Sequence, residues 1–212
     1  MLWQTIKNKW AQRGLKDQSY AWLFGKEHPD EVVCFDCETT GLDRVNDKLV
    51  SLSAIKIRGG EILTSETLNL TFKPEQRIRP ESILVHRIRN MDTEQGLEER
   101  EGVERFLRFI GTRPLVGYYL EFDIAMVNAV VEPWLGIKLP NRPIEVSQLY
   151  HQKYYQAWLQ PEHEVFDLSF KTIMDKLNLP MFAQHDAFND ALMTSMMYVA
   201  LTQGHDKSQS GG

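Results

Sequence analysis

Residues 31–42 read Glu-Val-Val-Cys-Phe-Asp-Cys-Glu-Thr-Thr-Gly-Leu, and the architecture of the chain can be worked out from this stretch. Its first part is short, apolar and rich in strand-forming residues, and Thr39-Thr40-Gly41 ends it. Because side chains two residues apart on a strand share a face, Asp36 and Glu38 lie side by side. Two such carboxylates repel each other unless a cation lies between them, and a hard divalent ion fits. The alternative is a strand end that has already reached solvent.

Apolar runs after this first strand predict more strands. One run covers 49–57 and the next covers 62–72, and Gly59-Gly60 between them is typical of a hairpin turn. Three consecutive strands indicate an antiparallel meander. Two further short strands, near 115–117 and 144–146, are interspersed with helical patterns, which we place at 103–110, 123–134, 147–158, 168–177 and 187–201. This order predicts an α/β domain with one mixed five-stranded sheet and helices on both faces.

The composition excludes several classes of protein. With 42% hydrophobic and 25% charged residues, the 212-residue chain is neither disordered nor a membrane protein. It has no apolar run near the ~20 residues that cross a bilayer, and its beginning lacks the apolar core of a secretion signal. Cys34 and Cys37 are too few for a disulfide framework, so we predict a cytoplasmic location. The net charge of −5 does not favour nucleic acid, but a bound metal could supply positive charge.

The chain divides into three parts by pattern. Residues 1–30 are interpreted as an N-terminal helical extension, in which Trp3, Ile6 and Trp10 follow helical spacing. This extension could pack on its own domain, bind a partner protein or lie on a membrane surface. Residues 31–203 form the main domain, and residues 204–212 have the composition of a flexible tail.

Two further acidic positions fall at the beginning of predicted helices. Asp123 follows the short strand at 115–117, where folds of this kind gather ligands, although an acid there could simply interact with the helix dipole. Asp186 suits an N-cap, so His185 lies on the preceding loop and Asp190 about one turn inside the helix. A loop histidine in this position can accept a proton from water beside a metal that Asp190 binds. Taken alone, the pair also describes an exposed helix start.

Taken together, three segments resemble the exonuclease motifs of the DnaQ-like, DEDDh-type 3′ to 5′ exonucleases, which include the proofreading epsilon subunit of bacterial DNA polymerase III. The segments are Val-Cys-Phe-Asp36-Cys-Glu38-Thr-Thr-Gly-Leu, Leu-Val-Gly-Tyr-Tyr-Leu-Glu-Phe-Asp123 and His185-x-x-x-x-Asp190. Residues 78–88 also resemble the family's stretch ending in Val-His-Gly-Ile. The resemblance covers about residues 31–201 and implies a ribonuclease-H-like fold.

The resemblance also implies roles for individual residues. Four carboxylates would surround two Mg²⁺ or Mn²⁺ ions, namely Asp36, Glu38, Asp123 and Asp190. His185 would be the general base. Two such cations can clamp a phosphodiester, activate the attacking water and stabilise the leaving 3′ oxygen. The residues expected to hold the terminal nucleotide are Thr39, Gly41 and Leu42, the last as an apolar wedge, with His86 and Phe122 as weaker candidates.

Two positions depart from the family pattern. Tyr118-Tyr119 stands where many relatives have His-Asn, and Arg87 stands where the family has glycine. Arg87 belongs to the segment 73–90, which carries five basic and two acidic residues. This segment is either a modest phosphate-binding patch or a solvated loop.

The predicted activity is hydrolysis of phosphodiesters from the 3′ end of single-stranded DNA, with release of nucleoside 5′-monophosphates. One alternative is an exoribonuclease that acts on RNA ends or short oligonucleotides, since nothing in the sequence separates the sugars. Another is a nucleic-acid-binding scaffold subunit of a replication or repair assembly. That subunit would bind its protein partner through the Trp-rich N-terminal segment.

Overall fold

One five-stranded sheet forms the centre of the protein. The computed structural model describes residues 12–155 and 166–203. The strands lie in the order β3-β2-β1-β4-β5 and comprise β1 (Glu31–Thr39), β2 (Leu49–Arg58), β3 (Glu61–Thr71), β4 (Leu115–Gly117) and β5 (Pro143–Glu145). The first three strands pair antiparallel, whereas β4 pairs parallel to β1 and β5 pairs parallel to β4. The mixed five-stranded sheet with its meander is therefore confirmed.

Helices cover both faces of this sheet. The described residues contain six α-helices, which are α1 (Pro80–His86), α2 (Glu99–Ile110), α3 (Leu120–Leu135), α4 (Val146–Tyr154), α5 (Phe170–Lys176) and α6 (Ala187–Gln203). Two 3₁₀ helices, Gln18–Phe24 and Asn90–Thr93, lie in the connections. The helix α1 has no counterpart among the helices expected from periodicity, because it is short and begins with a proline.

The central strand β1 separates two apolar cores. Phe35 and Cys37 are buried against α2 and α3 on one face, whereas Cys34 is buried against α4, α5 and α6 on the other. This alternation follows from the period of two residues along a strand. Because both faces of β1 are covered, its register is fixed, since a one-residue slip would move every side chain to the wrong core.

The β2–β3 hairpin turns at Gly59 and Gly60, whose φ values are +53° and +87°. Positive φ at both central residues is the requirement of the tight hairpin turn that the Gly-Gly pair predicted.

The described part of the N-terminal extension packs on its own domain. Leu15, Tyr20 and Leu23 are buried in the core formed by α2 and α3, and the Tyr20 ring meets Trp134 edge-on with ring centroids 5.0 Å apart. The predictions for Trp3, Ile6 and Trp10 and for the tail at 204–212 fall outside the described residues. Within residues 12–155 and 166–203, no helix combines the length and the apolar character that crossing a bilayer requires.

Candidate metal-dependent active site

Three carboxylates, two from the first strand and one from the last described helix, converge at the end of β1. Asp36 and Glu38 share a face of β1, and Asp190 lies in the first turn of α6. One carboxylate oxygen from each of these residues lies within 4.8 Å of the others. Strand periodicity brings the first two together, and the packing of α6 against β1 supplies the third.

Asp123 lies beside this group, but its carboxylate is hydrogen-bonded to the backbone of β1. It is 4% exposed in the first turn of α3, and its Oδ1 accepts a hydrogen bond of 3.1 Å from the backbone N–H of Cys37. The negative charge of Asp123 also raises the pKa of Asp36, after burial, which is the larger cause. The structure thus brings all four acids into one neighbourhood, with Asp123 outside the closest set of three.

The carboxylates destabilise one another's charged forms. Burial, followed by the charge of Asp190, raises the pKa of Glu38 to about 8. Burial raises the pKa of Asp123 to about 8 and also raises the pKa of Asp190. Charges held this close in a partly buried site call for a compensating cation. Because all the donor atoms are carboxylate oxygens, the site fits hard divalent ions such as Mg²⁺ or Mn²⁺.

His185 is held by the same turn that positions Asp190. Its backbone has φ of +62°, and its N–H donates to Asp190 Oδ2 over 2.8 Å. Asp186 accepts from the N–H of Asn189 at 2.9 Å, so its predicted role as an N-cap is confirmed. His185 is exposed on the loop before α6, where its imidazole can meet a ligand from solvent.

His86 is a second histidine at this end of the molecule. It is 6% exposed at the end of α1, and its Nδ1 accepts from the N–H of Ile88 at 3.1 Å. Nε2 therefore carries the proton, and within the described residues it makes no hydrogen bond of normal geometry, although the Thr39 backbone lies near enough to raise the pKa of His86. Burial lowers the pKa of His86, and the nearby His185 lowers it further. A buried N–H without a partner costs free energy unless a ligand accepts from it.

The loop after β1 presents one large apolar side chain to solvent. Leu42 is 84% exposed, as a wedge against a base would need to be. Thr39 is buried, and its hydroxyl donates to the carbonyl of Gly41 at 2.6 Å. A Cβ at Gly41 would overlap the carboxylate of Asp47, so glycine is required there by close packing.

Asp47 holds this loop and was not singled out by sequence reasoning. It is 3% exposed and accepts hydrogen bonds from the Thr40 hydroxyl at 2.9 Å and from the Asp43 N–H at 2.8 Å. Arg79 pairs with it at 3.2 Å. A polar residue within a surface loop gives no sequence signal that distinguishes this role.

Phe122 and Glu145 shape the beginning of α3. Phe122 is partly buried, with the Arg44 guanidinium 5.9 Å from its ring centroid. Glu145, which sequence reasoning also missed, accepts from the N–H of Leu120 at 3.0 Å and lies close enough to raise the pKa of Asp123. The signal was present, because Glu145 is an acid at the end of a predicted strand, as Glu38 is.

The strand order, the helices on both faces and the acids at the end of β1 and in the first turns of α3 and α6 define an α/β domain of the ribonuclease-H-like type. The family model described as Exonuclease matches residues 33–198. The chain therefore belongs to the DnaQ-like 3′ to 5′ exonuclease family.

Curated relatives include PolC-type DNA polymerases III. The Latilactobacillus sakei protein is 32% identical over 175 residues, which cover 81% of this chain and 11% of that protein. The Bacillus cereus protein is 28% identical over 170 residues, covering 80% of this chain and 11% of that protein. The chain thus spans about a tenth of the length of these relatives.

Solved structures with the same fold include two nucleases bound to DNA. E. coli exonuclease I in complex with a dT13 oligonucleotide aligns with a TM-score of 0.65 at 14% identity, covering 81% of this chain and 40% of that one. Exonuclease X in complex with 5′ overhanging duplex DNA aligns with a TM-score of 0.61 at 17% identity, covering 81% of this chain and 91% of that one. At these identities the similarity establishes the fold alone.

Proposed function

We propose that this chain is a metal-dependent nuclease domain that hydrolyses phosphodiesters from the 3′ end of single-stranded DNA and releases nucleoside 5′-monophosphates. The observation that carries the proposal is the convergence of Asp36, Glu38 and Asp190, whose oxygens lie within 4.8 Å of one another. Membership of the exonuclease family supports the reaction class. The match to DNA polymerases, together with the DNA-bound structural neighbours, supports DNA over RNA.

The acidic residues have one shared role in this proposal. Asp36, Glu38, Asp123 and Asp190 would hold two Mg²⁺ or Mn²⁺ ions, which when bound would polarise the phosphodiester and stabilise the charge that develops on it. The carboxylates repel one another, so they are poised to bind cations. Asp123 meanwhile fixes the end of β1 through its hydrogen bond from Cys37.

His185 has the role of general base. Its loop position leaves the imidazole exposed, and the hydrogen bond from its own backbone to Asp190 ties it to the carboxylate group. An imidazole held there accepts a proton from the attacking water as the phosphorus–oxygen bond forms.

The terminal nucleotide would lie against the loop after β1. The exposed Leu42 packs against its base, and stacking of this kind binds single strands without selecting a sequence. The backbone of Thr39 and Gly41 lies at the same turn, and Phe122 provides apolar surface at the beginning of α3. The unpartnered Nε2–H of His86 is a donor suited to a phosphate oxygen.

The test is digestion of matched DNA and RNA oligonucleotides that carry a label at either the 5′ or the 3′ end. With Mg²⁺ or Mn²⁺, we expect the 5′-labelled strand to shorten stepwise and the 3′-labelled strand to lose its label as a mononucleotide at once. Chelator should stop both reactions. The opposite pattern of label loss would reverse the direction, and faster cleavage of RNA would favour an exoribonuclease.

Variants connect this activity to the proposed residues. Asp36→Asn and His185→Ala should each lower kcat by a hundredfold or more, as losses of charge stabilisation and of a general base do. Asp175→Asn is the matched control, because Asp175 is an exposed acid on α5 paired with Lys171. Full activity in Asp36→Asn would refute the assignment, and strand binding by a wild type without turnover would favour a scaffold role.

A further inference from the structure

Strained backbone is concentrated around the candidate site. Among the described residues, four that are not glycine have positive φ, namely Arg87, Tyr119, Asn178 and His185. Three of the four lie in the segments that contribute to the site. Bulky side chains rarely adopt this left-handed conformation, and such residues tend to cluster where a side chain has a function.

Arg87 has φ of +62° and ends α1, directly after the buried His86. Its guanidinium is exposed and has no ion pair or hydrogen bond within the described residues. The two arginines that flank α1 and the following turn differ, because Arg79 pairs with Asp47 and Arg89 pairs with Asp92. Arg87 is therefore a free positive charge on a helix that packs against the loop after β1, where Ser82 donates to the Thr40 carbonyl at 3.0 Å.

Tyr119 has φ of +53° and directly precedes α3, four residues before Asp123. Its ring is 72% exposed, although aromatic surface is normally covered. It meets the Tyr118 ring edge-on at 4.7 Å, and the Tyr118 hydroxyl donates to the Leu168 carbonyl at 3.0 Å. The exposed Tyr119 ring thus packs against the Tyr118 ring, whose own position is fixed by the hydrogen bond to Leu168.

We propose that Arg87 and Tyr119 are strand-binding residues, in which Arg87 contacts a backbone phosphate of the incoming strand and Tyr119 stacks on one of its bases. Glycine and asparagine tolerate the left-handed conformation, whereas arginine and tyrosine are strained in it. Both side chains combine this strain with exposure and with chemistry that single-stranded nucleic acid uses. The inference rests on the proposed function, and it adds contacts to the part of the strand that lies beyond the scissile bond.

The test measures strand binding separately from cleavage. Fluorescence anisotropy of a 5′-labelled oligothymidylate in chelator reports affinity without consuming the probe. Arg87→Gly should reduce the slope of log affinity against log salt by about 0.7, the value for one phosphate contact on a single strand. Arg87→Lys should retain the slope, and Arg105→Gln controls for net charge because Arg105 already pairs with Glu101 on α2.

Tyr119→Asn should weaken binding about tenfold, the loss expected when one base loses its stacking partner, with no change in the salt slope. Tyr119→Phe should bind as the wild type does. A probe with abasic residues near its 3′ end should weaken the wild type and add little to the Tyr119→Asn loss, because the two changes remove the same contact.

Thermal unfolding shows whether any loss of affinity comes from unfolding. Arg87→Gly relieves strain, so its Tm should be the same as that of the wild type or up to about 3 °C higher. Its affinity for the strand should nevertheless fall. If either Arg87→Gly or Tyr119→Asn, folded by this criterion, binds with wild-type affinity and salt slope, the proposal is wrong. An absence of metal-dependent turnover in a wild type that still shows these binding differences would overturn the proposed function and leave this inference standing.

Discussion

Replacing Glu38 by glutamine should stabilise the metal-free protein while abolishing its metal-dependent activity. The substitution keeps the shape of the side chain and replaces an ionisable carboxyl by a neutral amide in the group formed with Asp36 and Asp190. In most proteins the loss of a buried polar contact destabilises the fold. Here the lost interaction is an unfavourable one, so the free energy of unfolding should rise instead of falling.

The magnitude follows from the pKa of Glu38, which burial and the charge of Asp190 raise from 4.5 to about 8. At pH 7 the native protein therefore keeps a proton that the unfolded chain, with its ordinary pKa of 4.5, has already released, and keeping this proton costs about 3 kcal/mol at 1.36 kcal/mol for each unit between 4.5 and 7. Residual solvent at this partly exposed group screens the interaction, and we expect about 1–2 kcal/mol of added stability. For a chain of this size that corresponds to a Tm higher by about 2–8 °C.

The direction in which stability changes with pH also follows from this raised pKa. A folded-state pKa above the ordinary value means that the native protein retains a proton that the unfolded chain releases, so wild-type stability falls as pH rises from 4.5 to about 8. The glutamine variant lacks this contribution. In chelator, the difference in Tm between variant and wild type should therefore be small at about pH 5 and largest at about pH 8.

The assay is differential scanning fluorimetry across this pH range, with chelator and then with Mg²⁺. Mg²⁺ should raise the Tm of the wild type and raise that of the variant much less, because a ligand stabilises only the state that binds it. Glu132→Gln, an exposed change at the far end of α3, is the control and should move the Tm little. A Glu38→Gln protein less stable than wild type in chelator at pH 8 would refute the reasoning.

Four further outcomes test other parts of the structure. Glu31→Gln removes the charge with which Arg58 and Arg113 pair and should cost about 1.5–3 kcal/mol in urea unfolding. The exposed Glu27→Gln should cost much less, and equal costs would contradict this. Because paired arginines lower the pKa of Glu31 to about 2 despite its burial, its contribution should be present above pH 4.5 and lost as pH falls towards 2, which acid unfolding followed by circular dichroism can check. Asp47→Ala leaves buried donors without a partner and should cost about 1–3 kcal/mol and speed proteolysis of the loop after β1; an unchanged cleavage rate would argue against its role. Burial raises the pKa of the Cys34 and Cys37 thiols, so iodoacetamide should label them only after denaturation, and rapid labelling of the native protein would show that β1 is not packed on both faces.

The parts of the site that follow from local geometry could be predicted from the sequence. Strand periodicity places Asp36 and Glu38 on one face, and the N-cap at Asp186 fixes Asp190 one turn into α6. Gly59-Gly60 specifies its hairpin in the same way, because the required φ values are a property of those two residues. The resemblance of the ordered motifs then connected segments that no local rule could connect.

Contacts between distant segments could not be predicted in this way. Glu31 is buried because Arg58 and Arg113, 27 and 82 residues away, both donate to it. The orientation of Asp123 depends on the Cys37 backbone, 86 residues away. These pairings depend on how the sheet and helices pack, and a single sequence carries no pattern for them.

The position of the acids along the chain also bears on when the nuclease could act during its own synthesis. β1, with Asp36 and Glu38, leaves the ribosome before His185 and before Asp190, which lies at the beginning of the last described helix. Until α6 has been made and has packed against β1, a nascent chain lacks Asp190 from the group formed with Asp36 and Glu38, and it lacks the proposed general base His185. The proposed cleavage would therefore begin only after α6 has packed, so a product truncated before α6 would carry Asp36 and Glu38 without a complete site.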